Sequence, residues 1–264
     1  MSYEHLRFEL ADGIGTVTFD RPDKLNALTY EVYREFEQLT RETARNPDVK
    51  VLVLRGAGAA FCAGGDVDAI IGDLVARDMK DHLDFAKLTC DCVRNLREMP
   101  QPVIAQVRGA AAGAGAVIAL ASDIRYLGTS ARVAFLFTKV GLTGADMGAA
   151  YLLPRIVGAG RASELLLLGD TIDAAECLRI GLASRVVPDE ELNDLVMKTA
   201  RRLATGPTGA IAATKRALVR EQDMDLASAL EGEMLAQALM LMGQDHHEFH
   251  AAWTAKRPPV WRGR

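Results

Sequence analysis

Long apolar runs are absent from this chain. No stretch reaches the roughly 18 apolar residues that a membrane-spanning helix needs, so no bilayer span is expected. Basic charge is not in excess. A formal net charge of −4 and a pI near 5.8 argue against a nucleic-acid partner. The first residues carry Glu4 and Asp12 and lack a basic start with an apolar stretch, so no signal peptide is expected. Cysteine is sparse. Cys62, Cys90, Cys92 and Cys177 suit neither a zinc site nor a small disulfide framework, and reduced thiols of a cytoplasmic protein are expected. His246, His247 and His250 gather around Glu248 without H-E-x-x-H spacing, so they read as a solvated helix end and no metal is expected.

What is present suffices for a large core. The chain has 264 residues, 49% apolar and 25% charged, which is ordinary globular chemistry. Two glycine-rich runs stand out: Phe61-Cys62-Ala63-Gly64-Gly65-Asp66 and Gly109-Ala110-Ala111-Ala112-Gly113-Ala114-Gly115. Each follows a strand-like run, Val51–Leu54 or Val103–Ala105, and each precedes a stretch that reads as helix. Strand, glycine turn and helix leave backbone N–H groups free at the helix start, where they bind anions or oxygens that become anionic. Two such donors aimed at one carbonyl make an oxyanion hole. The second run is not a dinucleotide fingerprint, because Ile118 stands where the third glycine belongs.

The remaining pattern is alternating strand and helix. Ile14–Phe19 alternates as a half-buried strand, and Thr29 caps a helix to about Ala44 with Val32, Phe36 and Leu39 on one face. Residues 66–99 read as mostly helical and polar, with the least regular apolar pattern, and are expected to form a mobile flap capped by Asp66. A helix is expected over Asp146–Val157. Gly206-Pro207 marks a boundary near residue 205, beyond which the pattern is helix only. An α/β core with a C-terminal helical part follows. The Leu226–Met242 helix is apolar on much of its circumference, with Leu230, Met234, Leu235, Leu239 and Met242, so it packs at home or on a neighbour.

The glycine runs resemble those of the enoyl-CoA hydratase/isomerase (crotonase) superfamily. Asp20-Arg21-Pro22-Asp23-Lys24-Leu25-Asn26-Ala27-Leu28 is similar to the family's R-P-x-x-x-N-A-L loop. Ala121–Arg125, Leu153–Gly158, Gly181–Val187 and Lys256-Arg257-Pro258-Pro259 match in order and spacing, so the resemblance covers the chain from about residue 10 onward. It implies a crotonase-like β-β-α spiral core over residues 1–205. It also implies a C-terminal helical region, 206–264, that caps coenzyme A and builds a homotrimer or dimer of trimers. It places the two oxyanion donors at Gly65 and Ala114, the latter where glycine is usual. It assigns the acyl-CoA handle to Arg21, Lys24, Leu25, Ala27, Ala63, Asp66 and Lys256, with Trp253 near the nucleotide. No cofactor is implied beyond coenzyme A as the substrate's own thioester.

The sequence departs from the family at its acid–base groups. The resemblance puts the two hydratase glutamates at Val117 and Phe137, and neither side chain moves a proton. Asp146 remains, in Gly144-Ala145-Asp146-Met147-Gly148. Counted back from Leu153-Pro154, it falls where dienoyl-CoA isomerases of the family carry a catalytic aspartate. A helix N-cap is the other reading of it. Val117, Phe135, Phe137 and Leu142 predict an apolar acyl pocket for an alicyclic, aromatic or branched group. Thr143 and Tyr151 are further candidates for a substrate oxygen, and Cys90 and His82 lie on the expected flap. The expected function is an enolate-stabilising isomerase or atypical hydratase that uses Asp146. The alternatives are an acyl-CoA hydrolase or dehalogenase with Asp146 as nucleophile, or a non-catalytic acyl-CoA binder.

Overall fold

In the computed structural model, which describes residues 3–263, the chain opens on a β-hairpin. Its strands, β1 (Leu6–Ala11) and β2 (Ile14–Phe19), are joined by Asp12-Gly13, with φ of 51° and 77°. Positive φ at both positions is what a two-residue hairpin loop requires. Thr29 caps α1 (Tyr30–Thr43) as expected, its side chain accepting the Val32 N–H at 3.4 Å. Val32, Phe36 and Leu39 are buried, and so are Tyr33, Thr40 and Thr43.

β3 (Val51–Gly56) leads to the first glycine run. A π-helical turn (Val67–Ile71), the short α2 (Gly72–Leu74) and α3 (Met79–Glu98) fill the expected flap. Asp66 caps its start by accepting the Ala69 N–H at 3.2 Å. The buried residues of α3, Thr89, Cys92, Val93 and Leu96, all lie in its second half.

The second run continues from β4 (Val103–Val107) through β5 (Ala110–Ala112) into α4 (Ala114–Ala121), a helix buried at every residue. There follow β6 (Ile124–Gly128), β7 (Arg132–Ala134), α5 (Ala149–Val157), α6 (Ala159–Leu168), β8 (Ile172–Asp173), α7 (Ala174–Arg179) and β9 (Arg185–Val187). The first sheet runs β1-β2-β3-β4-β6-β9, parallel after the hairpin; the second runs β5-β7-β8. This is the β-β-α spiral that the sequence led us to expect. The parallel strands are apolar almost throughout because both sheet faces are covered. One face carries Val17, Leu52, Leu54 and Ala105 into the main core. The other carries Val51, Val53 and Ile104 against Leu192, Val196 and Ala200 of α8 (Asp189–Ala204).

Gly206-Pro207 separates α8 from α9 (Thr208–Arg220), and α10 (Leu226–Leu241) and α11 (Gln244–Thr254) complete the described chain. A buried cation ties α9 to the core. Lys215 Nζ donates to the carbonyls of Leu96 and Gln101 and pairs with Asp123, each at 2.8 Å. Such an ammonium tolerates burial because every proton has a partner. By contrast, α10 has no buried residue. Among the described residues no helix is long and apolar enough to cross a membrane.

One element starts later than expected. The helix read from Asp146 begins at Ala149, and its N-cap is Gly148, with φ of 86° and no capping side chain. Met147 and Gly148 both take positive φ, which lifts the chain out of helical geometry before α5 can start. Asp146 therefore does not cap this helix.

Candidate active site

The two glycine runs meet backbone to backbone. Phe61 and Cys62 N–H both donate to the Ala110 carbonyl at 3.0 Å, and Ala112 N–H donates to the Cys62 carbonyl at 2.9 Å. Beyond this ladder the first run turns at Gly64, whose φ is 95°. A Cβ there would stand 2.8 Å from the Ala112 carbonyl oxygen and 3.6 Å from the Ala114 nitrogen. Only glycine fits both the conformation and the approach. The second run turns at Gly113, with φ of 51° and ψ of −122°, and its N–H is held by the Ala134 carbonyl at 2.9 Å.

Each special glycine precedes one expected donor. Ala114 is the first residue of α4, so an ordinary helical φ serves it and alanine replaces glycine without strain. Gly65 needs neither positive φ nor close approach. The nearest atom a Cβ there would meet is the Tyr33 hydroxyl at 4.0 Å. Among the described residues, neither the Gly65 nor the Ala114 N–H donates to another loop or turn carbonyl. Both are free donors on two turns that are locked to each other.

A third segment is set against these turns by the loop before α1. Leu28 N–H donates to the Gly64 carbonyl at 2.7 Å, and Asp66 N–H donates to the Leu28 carbonyl at 2.8 Å. Arg21 lies under this loop, with Nη1 2.6 Å from the Ala27 carbonyl and 3.0 Å from the Asp66 carboxylate. Burial raises the Asp66 carboxyl, but the Ala69 N–H and the Arg21 guanidinium outweigh it and hold the group below the usual carboxylate range. Two residues expected at a coenzyme A handle are thus paired with each other. Lys24 and Leu25 are exposed, Ala63 N–H donates to the Leu25 carbonyl at 3.0 Å, and Lys256 is exposed just past α11.

Asp146 is half-buried, next to buried Met147. Val117, Phe135, Phe137 and Met147 are buried in the main core, whereas Leu142, expected beside them, is 56% exposed. The Asp146 carboxylate accepts one hydrogen bond, from the Met147 N–H at 2.9 Å. Burial raises its pKa and that N–H only partly offsets the rise, so Asp146 takes up a proton more readily than a solvated aspartate. Its charge is felt by Cys90 on α3, whose thiol is raised first by burial and then by Asp146, and by Tyr33 on α1.

Other candidates are engaged elsewhere. The Tyr151 hydroxyl donates to Asp223, under an Arg155 guanidinium 3.7 Å from the ring centroid. Thr143 accepts the Ala145 N–H at 3.2 Å, and a His82 ring nitrogen lies 2.8 Å from the Leu74 carbonyl oxygen. Glu248 binds Arg257 and the Val260 N–H, and the Arg257 contact and that N–H hold its carboxyl down at about 2. Among the described residues no group of three or more His, Cys, Asp and Glu side chains is placed to hold a metal ion. Tyr33 was absent from the sequence-based candidates. Its helical spacing marks a core face, and only the Leu28–Gly65 bridge brings its tip to the first turn.

An α/β spiral with two free backbone amides on interlocked turns has the kind of donors with which an enzyme can polarise a carbonyl. The profile of the enoyl-CoA hydratase/isomerase family matches residues 9–264, and the chain belongs to that family. It is an acyl-CoA-processing enzyme. It is 34% identical over 261 residues to 1,2-epoxyphenylacetyl-CoA isomerase of Escherichia coli (strain K12), covering 99% of each chain. It is 32% identical over 258 residues to crotonyl-CoA hydratase of Syntrophomonas wolfei, covering 97% of each. A crystal structure from Streptomyces coelicolor A3(2), assigned as an enoyl-CoA hydratase, superposes with a TM-score of 0.98 at 54% identity, covering 100% of this chain and 96% of that one.

Proposed function

We propose that this enzyme shifts protons along the acyl chain of a CoA thioester, as an isomerase or an atypical hydratase, with Asp146 as its acid–base group. The thioester oxygen rests on the Gly65 and Ala114 N–H groups. Asp146 removes a proton from a carbon of the acyl chain, and the electron pair moves into the thioester as an enolate held by those donors. The proton returns at another carbon and the double bond moves. Each donor lowers the barrier by about 3 kcal/mol.

The observation that carries this reading is the state of Asp146. It is excluded from capping α5, and its burial raises its pKa. A general base gains from a pKa closer to the working pH. Val117 and Phe137 leave no second carboxylate to activate water at those positions, which favours isomerisation over hydration. Val117, Phe135 and Phe137 suit an apolar acyl group.

The coenzyme A portion is assigned to Lys24, Leu25, Ala27 and Ala63, with Lys256 from the C-terminal region. Arg21 serves there by holding Asp66 and the Ala27 carbonyl. Residues 206–264 are assigned to assembly of a homotrimer or dimer of trimers around the core of residues 1–205. The unburied α10 supports this, with Leu230, Met234, Leu235 and Leu239 exposed. A cytoplasmic location suits its reduced thiols.

The test is incubation with enoyl-, dienoyl- and aroyl-CoA esters in deuterated water, read by mass spectrometry. Deuterium uptake that disappears in Asp146→Asn supports the reading. Binding without exchange or conversion sinks it in favour of a binder. Release of free CoA that depends on Asp146 points to the nucleophile alternative.

A further inference from the structure

The oxyanion turns account for two donors, and the acid–base step for one carboxyl. One more polar group faces the same place and has no role in that chemistry. Tyr33 lies in the first turn of α1 and is 3% exposed. Its ring is fixed edge-on by Phe85, with centroids 5.5 Å apart, and its carbonyl lies 3.6 Å from the Cys92 sulfur. Its hydroxyl stands 4.0 Å from the point where a Gly65 Cβ would be. Among the described residues that hydroxyl has no hydrogen-bond partner, although Cys62, Cys92 and Asp146 are close enough to act on it electrostatically.

We infer that the Tyr33 hydroxyl donates a hydrogen bond to an oxygen carried by the acyl chain beside the thioester, and so selects oxygenated acyl-CoA esters. This rests on the placement of the thioester at Gly65 and Ala114. The hydroxyl stands close to Gly65, whose N–H, with that of Ala114, already takes the thioester oxygen. It therefore meets a substituent next to the carbonyl, such as a hydroxyl, a ketone or an epoxide oxygen, and not the carbonyl oxygen itself. Burial raises the phenol, so it keeps its proton and acts as a donor. The acyl side is otherwise apolar at Val117, Phe135 and Phe137. In such surroundings an ester that cuts the hydroxyl off from water without pairing it pays a cost, and a ligand that pairs it is favoured over one that does not.

Titration of the full-length enzyme with 2-hydroxybutyryl-CoA, 3-hydroxybutyryl-CoA and butyryl-CoA tests this. Wild type is expected to bind at least one hydroxylated ester about tenfold tighter than butyryl-CoA, the scale of one hydrogen bond. Tyr33→Phe keeps the ring and its packing, so it should melt like wild type, bind butyryl-CoA unchanged and show no preference. Asp146→Asn should keep the preference. A preference that survives in Tyr33→Phe, that wild type lacks, or that vanishes in Asp146→Asn instead overturns the assignment. If none of the esters binds, the thioester placement itself fails, which is a separate result.

Discussion

The two glycine turns and the Asp146 loop, the two halves of the proposed site, are held in opposite ways. The turns are set by backbone: two glycines without alternatives, a ladder of hydrogen bonds between the runs, and side chains that do nothing at the donor positions. The Asp146 loop has little of this. It crosses exposed Gly141, Leu142 and Thr143, then takes positive φ at Met147 and Gly148, and its carboxylate accepts a single hydrogen bond. The contrast suits the proposed task. Donors stabilise a developing charge only if they need no reorganisation, so they must be rigid. A base needs a raised pKa and freedom to reach a carbon, so few hydrogen bonds and an apolar wall serve it better.

Four substitutions or conditions probe that contrast. Asp146→Asn should lower kcat about 10²–10⁴-fold, the usual scale for a lost acid–base group, while CoA-ester binding is retained. Steady-state kinetics beside equilibrium binding decides it; turnover within twofold of wild type would remove Asp146 from the mechanism.

Gly64→Ala attacks the rigid half. The positive φ and the 2.8 Å approach to the Ala112 carbonyl add strain and overpacking, together about 2–5 kcal/mol of lost stability. Chemical denaturation measures it, and an unchanged midpoint would show that the two runs are not locked as described.

Gly65→Ala is the matched control. The added methyl meets no backbone and the φ is ordinary, so stability should stay within about 0.5 kcal/mol of wild type. The methyl does occupy the space between the donor and Tyr33. We expect kcat/KM to fall about 10–100-fold, as when a bound ester is displaced slightly from its donors. A variant as active as wild type would place the thioester elsewhere.

The smallest effect concerns pH. A carboxyl raised in the folded state binds more protons folded than unfolded, between the unfolded aspartate pKa near 4 and the higher folded value. Its contribution to stability is present below that window and is lost as pH rises through it. Asp146→Asn should therefore melt no lower than wild type at neutral pH, and the gap between them should narrow as the medium is acidified. Scanning calorimetry at several pH values checks this. A variant that melts lower at neutral pH would mean that the carboxylate stabilises its loop.

Much of this was legible before the structure. The glycine runs, the Thr29 cap and the strand over Ile14–Phe19 are local patterns, set by chirality, caps and period, although that strand is buried at all six residues and not half-buried as its alternation suggested. Asp146 was legible as a candidate but ambiguous. An aspartate before an apolar stretch has the form of an N-cap, and only the paired left-handed residues Met147 and Gly148 show that α5 starts beyond it. Arg21 was legible as a cation near a handle but not as the partner of Asp66, because the contact joins residues 45 positions apart.

The order of the spiral, the two donor positions and the two missing glutamates came from the family resemblance; by itself the residue pattern determined most of the elements and the two glycine turns. Those are properties of a residue and its near neighbours. Only the tertiary structure decided which free amides stand together, that Asp146 is desolvated and not capping, and that the tip of Tyr33 stands beside Gly65. Each of these depends on segments far apart in the chain meeting in a low-dielectric interior. There the environment, and not the residue type, sets what a polar group can do.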